Sequence, residues 1–278
     1  MRYRLLALDV DGTVLDPTGT LRPTVRQAVL AVQQRGIRVI LCTGRRFRTA
    51  LPIAYELQLD SPMVVHNGAL VKHPTSGETL LQTYMVPAVY QQALGHLRQL
   101  GAPMVYVDAF HEQVDILTED MARAHPFQRD YLQDNLAHCR IVSDIETPPA
   151  YGVVMISIMG DEASLRTLRP QVQASLRTHA RVNLLINKNY QGHILEILHP
   201  TVSKWQGLWH LAARQGIPAE AIVAVGDDEN DLEMLHHAGL GIAMGNAVDM
   251  VKAAADHVTG SNAEDGLVQA IERFLLRS

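Results

Sequence analysis

The chain of 278 residues is short of several things, and each shortage excludes something. Its two cysteines, Cys42 and Cys139, lie far apart and form no CxxC arrangement. That excludes a disulfide scaffold and fits a reducing, cytoplasmic setting. The 13 histidines are scattered without an HExxH or His-x-His pattern, which argues against zinc. No apolar run reaches the roughly 18 residues that a membrane-spanning helix needs. The apolar stretch behind Arg2 and Arg4 stops at Leu8, too short for a signal peptide. Neither sign of charge dominates: 24 Lys and Arg against 29 Asp and Glu leave −5, which supplies no electrostatic case for nucleic acid or an anionic membrane as partner. Internal repeats, low-complexity tracts and long linkers are missing too. What remains is 47% hydrophobic and 19% charged, the composition of a globular chain long enough for one large or two ordinary domains.

The most informative stretch present is Leu5 through Thr13. A short apolar run ends in Asp9-Val10-Asp11-Gly12-Thr13. Such a run reads as a buried parallel strand. Alternate strand side chains share a face, so Asp9 and Asp11 point the same way, and Gly12 permits a sharp turn. Two carboxylates that close repel unless a cation or a shared proton intervenes. They would stand at the carboxyl end of a central strand, where open α/β sheets bind ligands. A metal site with a nucleophile is the expectation that the rest of the chain tests.

Helix-spaced apolar positions over Pro23 to Arg35, a strand over Ile37 to Cys42, a helix from Phe47 to Leu57 and a strand over Met63 to Val65 give the alternation of a parallel sheet with right-handed crossovers. A hairpin turning near Thr75-Ser76-Gly77 follows. From about Val86 the texture changes. Helices are expected over Pro87 to Leu100, over 119–138 with a break at Pro126, and over Asp161 to Thr178 with an interruption at Pro170. Strands are expected over Met104 to Asp108 and Gly152 to Met159, and Arg181 to Ile186 pairs with His193 to Leu198. This block reads as a separate α+β insertion. From His199 the parallel pattern returns, with a helix over Ser203 to Gln215 and a strand over Ala221 to Val225 that ends in Gly226-Asp227-Asp228-Glu229-Asn230-Asp231. The fold class is therefore α/β, a Rossmann-like parallel-sheet core of residues 1–85 and 199–278 with an α+β domain of residues 86–198 inserted.

Four features fall on strand ends or helix starts facing one crevice: Asp9-x-Asp11, Thr43-Gly44, Lys204, and Asp227 with Asn230 and Asp231. Each is weak by itself, since acidic residues also gather at helix starts for the macrodipole alone. In this order and together they resemble the haloacid-dehalogenase-like hydrolases, and within them the Cof-type sugar-phosphate phosphatases. Asp9-Val10-Asp11-Gly12-Thr13 is similar to the first motif of that family and Thr43-Gly44-Arg45 to the second. Val202-Ser203-Lys204 is similar to the third and Gly226 to Asp231 to the fourth. The Asn67-Gly68-Ala69 turn and the placement of the insertion, where the family carries a C2-type cap, extend the resemblance over the whole chain. Trp205 departs from it, standing where many relatives have glycine, with the prospect of crowding the hinge or cap.

The resemblance implies a phosphatase that hydrolyses phosphate monoesters of small metabolites, sugar phosphates above all. Asp9 would attack phosphorus and form an aspartyl-phosphate, and Asp11 would serve as acid and then as base. Asp9, Asp227 and the backbone carbonyl of Asp11 would hold Mg²⁺, the ion suited to hard oxygen ligands. Thr43, Gly44, the Val10 backbone and Lys204 would hold the phosphate, Asn230 would bond the phosphate or position Lys204, and Asp231 would position Lys204 or a metal-bound water. The insertion would act as a lid that excludes water and reads the leaving group. Asn187, Lys188, Asn189, Tyr190 and His193 are its candidate contacts, although an exposed hairpin turn explains them as well. Arg45 and Arg46 reach either a phosphate or surface partners, His66 ends a strand near the site, and Cys42 reads as core. The expected partner is a small phosphorylated metabolite, with neither nucleic acid nor membrane, and the protein is expected to be a monomer or weak oligomer. Two other readings stay open. One is a phosphomutase or phosphotransferase on the same scaffold; the other is a phospho-ligand sensor without catalysis, which ought to have lost Asp9, Asp11, Lys204 or Asp227. A dehalogenase would leave Asp11 and Asp227 without a purpose, and a membrane ATPase lacks its spans.

Overall fold

The computed structural model describes residues 3–108, 113–187, 190 and 192–276. The chain opens with β1 (Leu5–Leu8), α1 (Pro23–Gln34), β2 (Arg38–Leu41), α2 (Phe47–Glu56), β3 (Met63–Val65), β4 (Leu70–Lys72) and β5 (Thr79–Gln82). It continues through α3 (Pro87–Leu97), β6 (Met104–Tyr106), β7 (Ile116–Thr118), α4 (Pro126–Asp134), β8 (Cys139–Ile141), β9 (Met155–Gly160), α5 (Glu162–Leu176), β10 (Arg181–Asn187) and β11 (Gly192–Leu198). It closes with α6 (Lys204–Arg214), β12 (Ile222–Gly226), α7 (Leu232–His237), β13 (Leu240–Ala243), α8 (Asp249–Ala254), β14 (His257–Val258) and α9 (Gly266–Ile271). These elements gather into two compact units, one running to Leu81 and resuming at Ser203, the other Gln82–Val202.

The first unit is built on a parallel five-stranded sheet in the order β14-β13-β12-β1-β2. β1 is an interior strand between β12 and β2, and all four of its residues are buried, as expected of an apolar run with helices packed over the sheet. Register explains why residues 200 positions apart meet. Leu5 and Leu8 stand beside Ile222 and Val225 on one side and Arg38 and Leu41 on the other. The three strands therefore end level, and the residues that follow them, Asp9, Thr43 and Asp227, come off one rim. β3 departs from the expected parallel sheet. It touches that sheet through an isolated Cys42–Val64 bridge and otherwise starts its own three-stranded sheet, β3-β4-β5. The chain turns back directly after Val65, so one edge of this short strand pairs with antiparallel β4, while on the other edge the Val64 carbonyl accepts the Thr43 N–H (2.9 Å) just past β2.

That turn is conformationally unusual. His66, Asn67 and Gly68 all have positive φ (48°, 57° and 100°). For side chains other than glycine this costs about 1–2 kcal/mol each. Gly68 also lies against the start of α6: a Cβ there would sit 2.0 Å from the Ser203 carbonyl oxygen. Gly68→Ala is accordingly expected to destabilise the protein by about 3 kcal/mol or more, read by urea or thermal melts. Because Lys204 is the next residue after Ser203, activity should fall with stability.

The second unit carries a six-stranded sheet in the order β10-β11-β9-β6-β7-β8. Its pairs are antiparallel except β7 with β8. One face of this sheet, including Val105, Ile156, Ile158, Leu195 and Ile197, packs in one cluster with Tyr90, Leu94 and Leu97 of α3 and Leu165, Leu168, Val172 and Leu176 of α5. Those helix positions recur at three- and four-residue intervals, the stripe that buries one helix face. The expected break at Pro126 is present: a 3₁₀ turn over Met121–Arg123 ends before it, and Pro126 begins α4, where its missing N–H costs nothing. The expected interruption at Pro170 is corrected. Pro170 lies inside α5 without ending it. It is on the exposed side, and the carbonyl it leaves unpaired, that of exposed Arg166, can bond water. The fold class is thus the α/β core with an inserted α+β unit that the element pattern implies.

Candidate active site

The site is assembled wholly on the first unit. Asp9 follows β1 with its backbone N–H on the Val225 carbonyl (3.0 Å), which ties it to β12. Ser203 caps α6, accepting the Gln206 N–H (3.2 Å), and so places Lys204 in the first turn with 1% exposure. From there Lys204 Nζ reaches Asp9 Oδ1 and Asp231 Oδ1, each at 2.7 Å. On the far side of Asp231, Oδ2 accepts the backbone N–H groups of Asp227 (2.9 Å) and Asp228 (3.1 Å). Asp228 in turn accepts the Glu229 N–H, closing the loop after β12 as a capped helical turn. Gly226 makes this possible: a Cβ there would fall 2.4 Å from Asp231 Cγ.

Asp9, Asp227 and Asp231 are all buried, and one ligand atom from each lies within 4.8 Å of the others. Three buried carboxylates thus crowd together with one ammonium, Lys204, which pairs with two of them, Asp9 and Asp231. Burial holds the Asp9 carboxyl well above its ordinary range; Lys204 pulls it down, while Asp231, Asp227 and Asp11 push it further up. Lys204 is itself deeply buried, which opposes its charge, yet Asp231 and Asp9 hold it above the usual lysine value. Such an excess of buried negative charge is what a divalent cation relieves. The donors fit a hard cation, being carboxylate oxygens with no sulfur or imidazole in the cluster. Within it, Asp231 has both oxygens engaged by N–H donors, whereas Asp9 Oδ2 has no hydrogen-bond partner among the described residues. Asp231 is thus committed to Lys204 and the loop, while Asp9 keeps one carboxylate oxygen open toward the cluster.

The remaining expected residues occupy the same rim. Val10 is buried, its carbonyl accepting the N–H groups of Val14 and Leu15 at 3.0 Å. Thr43 is 1% exposed, and its Oγ1 accepts the Arg45 N–H at 3.1 Å. Gly44 lies so close to the Asn67 side chain that a Cβ would come 3.1 Å from its Oδ1. Asn230 Nδ2 donates to Asn67 Oδ1 (2.8 Å), while Asn230 Oδ1 is buried without a hydrogen-bond partner among the described residues. Asp11 carries both oxygens on Arg45, with Nε to Oδ2 at 2.7 Å and Nη2 to Oδ1 at 2.6 Å. Arg45 is held above its usual value by this pairing although burial opposes it.

A family model described as haloacid dehalogenase-like hydrolase matches residues 6–271. The chain belongs to that family. It is 29% identical over 277 residues to the 5-amino-6-(5-phospho-D-ribitylamino)uracil phosphatase YitU of Bacillus subtilis, covering 97% of each chain. It is also 29% identical over 288 residues to the pyridoxal phosphate phosphatase YbhA of Escherichia coli, covering 99% of this chain and 100% of that one. A solved haloacid dehalogenase-like hydrolase from Bacteroides thetaiotaomicron has a TM-score of 0.80 to it at 29% identity, over 98% of this chain and 99% of that one.

In this dehalogenase-like hydrolase several residues on the rim have partners that local spacing does not reveal. Arg45, with a phosphate or a surface partner as its two expected roles, faces Asp11. Thr13 Oγ1 reaches Asp227 Oδ1 at 3.4 Å, and Asn246 Nδ2 reaches Asp227 Oδ2 at 3.3 Å. The signal for Thr13 was its place in the first motif; Asn246 offered only a glycine–asparagine turn after a strand. His66 is 2% exposed and gives its backbone N–H to the Arg45 carbonyl (3.0 Å). Cys42 is a core residue whose thiol burial pushes upward. Arg46 is buried rather than on the surface. Trp205 is 8% exposed and stacks on Trp209 and His237, with ring centroids 5.6 and 5.2 Å away. It therefore packs inside the first unit behind Lys204. In the second unit, Tyr190 donates its hydroxyl to Asp134 (2.9 Å) and its backbone N–H to Asn187 Oδ1 (3.3 Å). His193 Nε2 lies 4.0 Å from Glu162 Oε1. Lys188 and Asn189 fall outside the described residues. Among the described residues no helix is long and apolar enough to cross a membrane.

Proposed function

We propose that the protein is a Mg²⁺-dependent phosphatase that hydrolyses phosphate monoesters of small metabolites, sugar phosphates foremost, through an aspartyl-phosphate on Asp9. The observation that carries this reading is the buried Asp9–Lys204–Asp231 arrangement with Asp227 beside it. A nucleophilic carboxylate, a fixed cation and a second carboxylate converge there on one rim. The relatives named above, both phosphatases of small phosphorylated metabolites, support the same class.

Asp9, Asp227 and the Asp11 carbonyl would hold the ion. Bound there, Mg²⁺ supplies the positive charge that lets a carboxylate approach a phosphate dianion. Asp9 forms a bond from a carboxylate oxygen to phosphorus while the bond from phosphorus to the ester oxygen breaks. Asp11 gives its proton to that leaving oxygen. Asp11 then takes a proton from the water that attacks phosphorus, and inorganic phosphate leaves as the Asp9–phosphorus bond breaks. Both Asp11 oxygens are on Arg45, so this proton traffic requires the guanidinium to release one of them. Lys204, Thr43, and the backbone N–H groups of Val10 and Gly44 compensate the charge on the phosphoryl oxygens. Asn230 gives one Nδ2 N–H to Asn67, and its second N–H is the donor it would offer a phosphate oxygen. The division of labour expected from the sequence, chemistry on the core and leaving-group recognition on the inserted unit, belongs to this proposal, as does a cytoplasmic location.

The test is hydrolysis of an aryl phosphate with Mg²⁺ and after chelation. Turnover should fall about 100-fold or more without the ion and return when it is added back. Activity indifferent to chelation would remove the metal from the reading. Release of inorganic phosphate in step with the alcohol separates hydrolysis from transfer to a second hydroxyl.

A further inference from the structure

Asn246 follows β13 and is exposed, yet its carboxamide is held from both ends. Its Oδ1 accepts the backbone N–H of Asn262 at 2.9 Å. A backbone N–H can only donate, so this bond decides which end of the amide is nitrogen. Nδ2 must therefore face the other way, and there it meets two acceptors: the Gly12 carbonyl at 2.9 Å and Asp227 Oδ2 at 3.3 Å. Gly12 belongs to the loop that carries Asp9 and Asp11, whereas Asp227 comes from β12, more than 200 residues on. Asn246 is thus a cross-tie between the two halves of the acidic site, made by a neutral donor. The Asn262 side chain braces the same loop separately, through Nδ2 on the Leu15 carbonyl at 2.8 Å.

We infer that Asn246 is a positioning residue for the cation site, holding the Asp227 carboxylate at the separation from the Asp11–Gly12 loop that a divalent ion needs. The inference rests on the metal reading above. Its physical reason is that Asp227 and Asp9 repel each other while the ion is absent, so the carboxylates hold their places only if donors fix them. A donor that acts on a ligating carboxylate in this way typically governs metal affinity by about 10- to 100-fold. Because Asn246 is exposed and its contact with Asp227 is long, the lower end applies.

The experiment is titration of the full chain with Mg²⁺ alone by calorimetry, for wild type, Asn246→Ala and Asn262→Ala. Asn246→Ala should raise the Mg²⁺ dissociation constant about 10-fold. The melting temperature in chelator should stay near wild type, and kcat should return at saturating Mg²⁺ with an unchanged substrate KM. Asn262→Ala keeps its backbone N–H on Asn246 and should leave Mg²⁺ affinity unchanged. Should the alanine variant fail to fold, Asn246→Ser carries the same expectation: its shorter hydroxyl side chain cannot bridge to Gly12 and Asp227 while accepting from Asn262. Wild-type Mg²⁺ affinity in the Asn246 variant overturns the inference, as does an equal loss in Asn262→Ala, which would mean that loop packing and not the amide donor is responsible. A wild-type protein that takes up no Mg²⁺ removes the metal reading, and this inference with it.

Discussion

Asp9→Asn is expected to abolish turnover, by at least about 10⁴-fold, while leaving a folded protein. The amide oxygen is too weak a nucleophile to attack phosphorus, and no neighbouring carboxylate can substitute. Asp231 has both oxygens on N–H donors, and Asp11 has both on Arg45. Stability should move the other way. Burial raises the Asp9 carboxyl above its unfolded value, so in the metal-free protein the ionised form is disfavoured by folding. The sign follows from linkage: a carboxyl with a raised folded value costs nothing while it is protonated in both states, below about pH 4. The cost develops as pH rises through the folded value and persists above it. Metal-free Asp9→Asn should therefore melt at or above the wild-type temperature at neutral pH, the gap closing in acid. Added Mg²⁺ should stabilise wild type more than the variant. Retained activity in Asp9→Asn would refute the nucleophile; a lower metal-free melting temperature at neutral pH would refute the electrostatic account of the cluster.

Lys204→Met should damage both activity and stability. Lys204 is the cation on which Asp9 and Asp231 converge, and all three are buried. Removing the ammonium leaves buried carboxylates uncompensated, at a cost of about 3–5 kcal/mol. Methionine keeps most of the volume, so packing loss should not account for the fall. The Lys204 value is raised by its partners, so the stability it brings is present across neutral pH and is lost only in strong alkali, as pH passes the folded value. Turnover should drop about 10³-fold, the scale on which loss of one charge-stabilising group at a reaction centre is felt. Saturating Mg²⁺ should restore part of the stability and little of the activity, because the ion relieves the carboxylates without occupying the place of the ammonium. A Lys204→Met protein as stable as wild type in chelator would mean that the cluster is partly protonated and needs no counter-cation.

Much of the architecture was legible because it rests on local pattern. The helix-spaced apolar positions of α1, α3 and α6, and the run before Asp9, each prescribe a buried face whatever the rest of the chain does. The convergence of Asp9, Thr43, Lys204 and Asp227 was legible because each stands at a strand end or helix start on the side where open α/β sheets bind ligands. Less legible were features that depend on what lies opposite. Pro170 is tolerated in a helix because the carbonyl it leaves unpaired faces solvent, and β3 meets the main sheet only through an isolated bridge while β4 returns at once to pair with its other edge.

From residue types and their order alone followed the α/β class, the inserted block, the acidic rim and the family. Pairing at the rim required the fold, because hydrogen bonds between residues as far apart as Asn246 and Gly12 leave no trace in local spacing. Arg45 closed on Asp11, Asp231 tied to Lys204 and to two backbone N–H groups, and Asn246 spanning Gly12 and Asp227 all depend on strands that end level. That register is set by the packing of β1 between β2 and β12, a long-range property of the sheet.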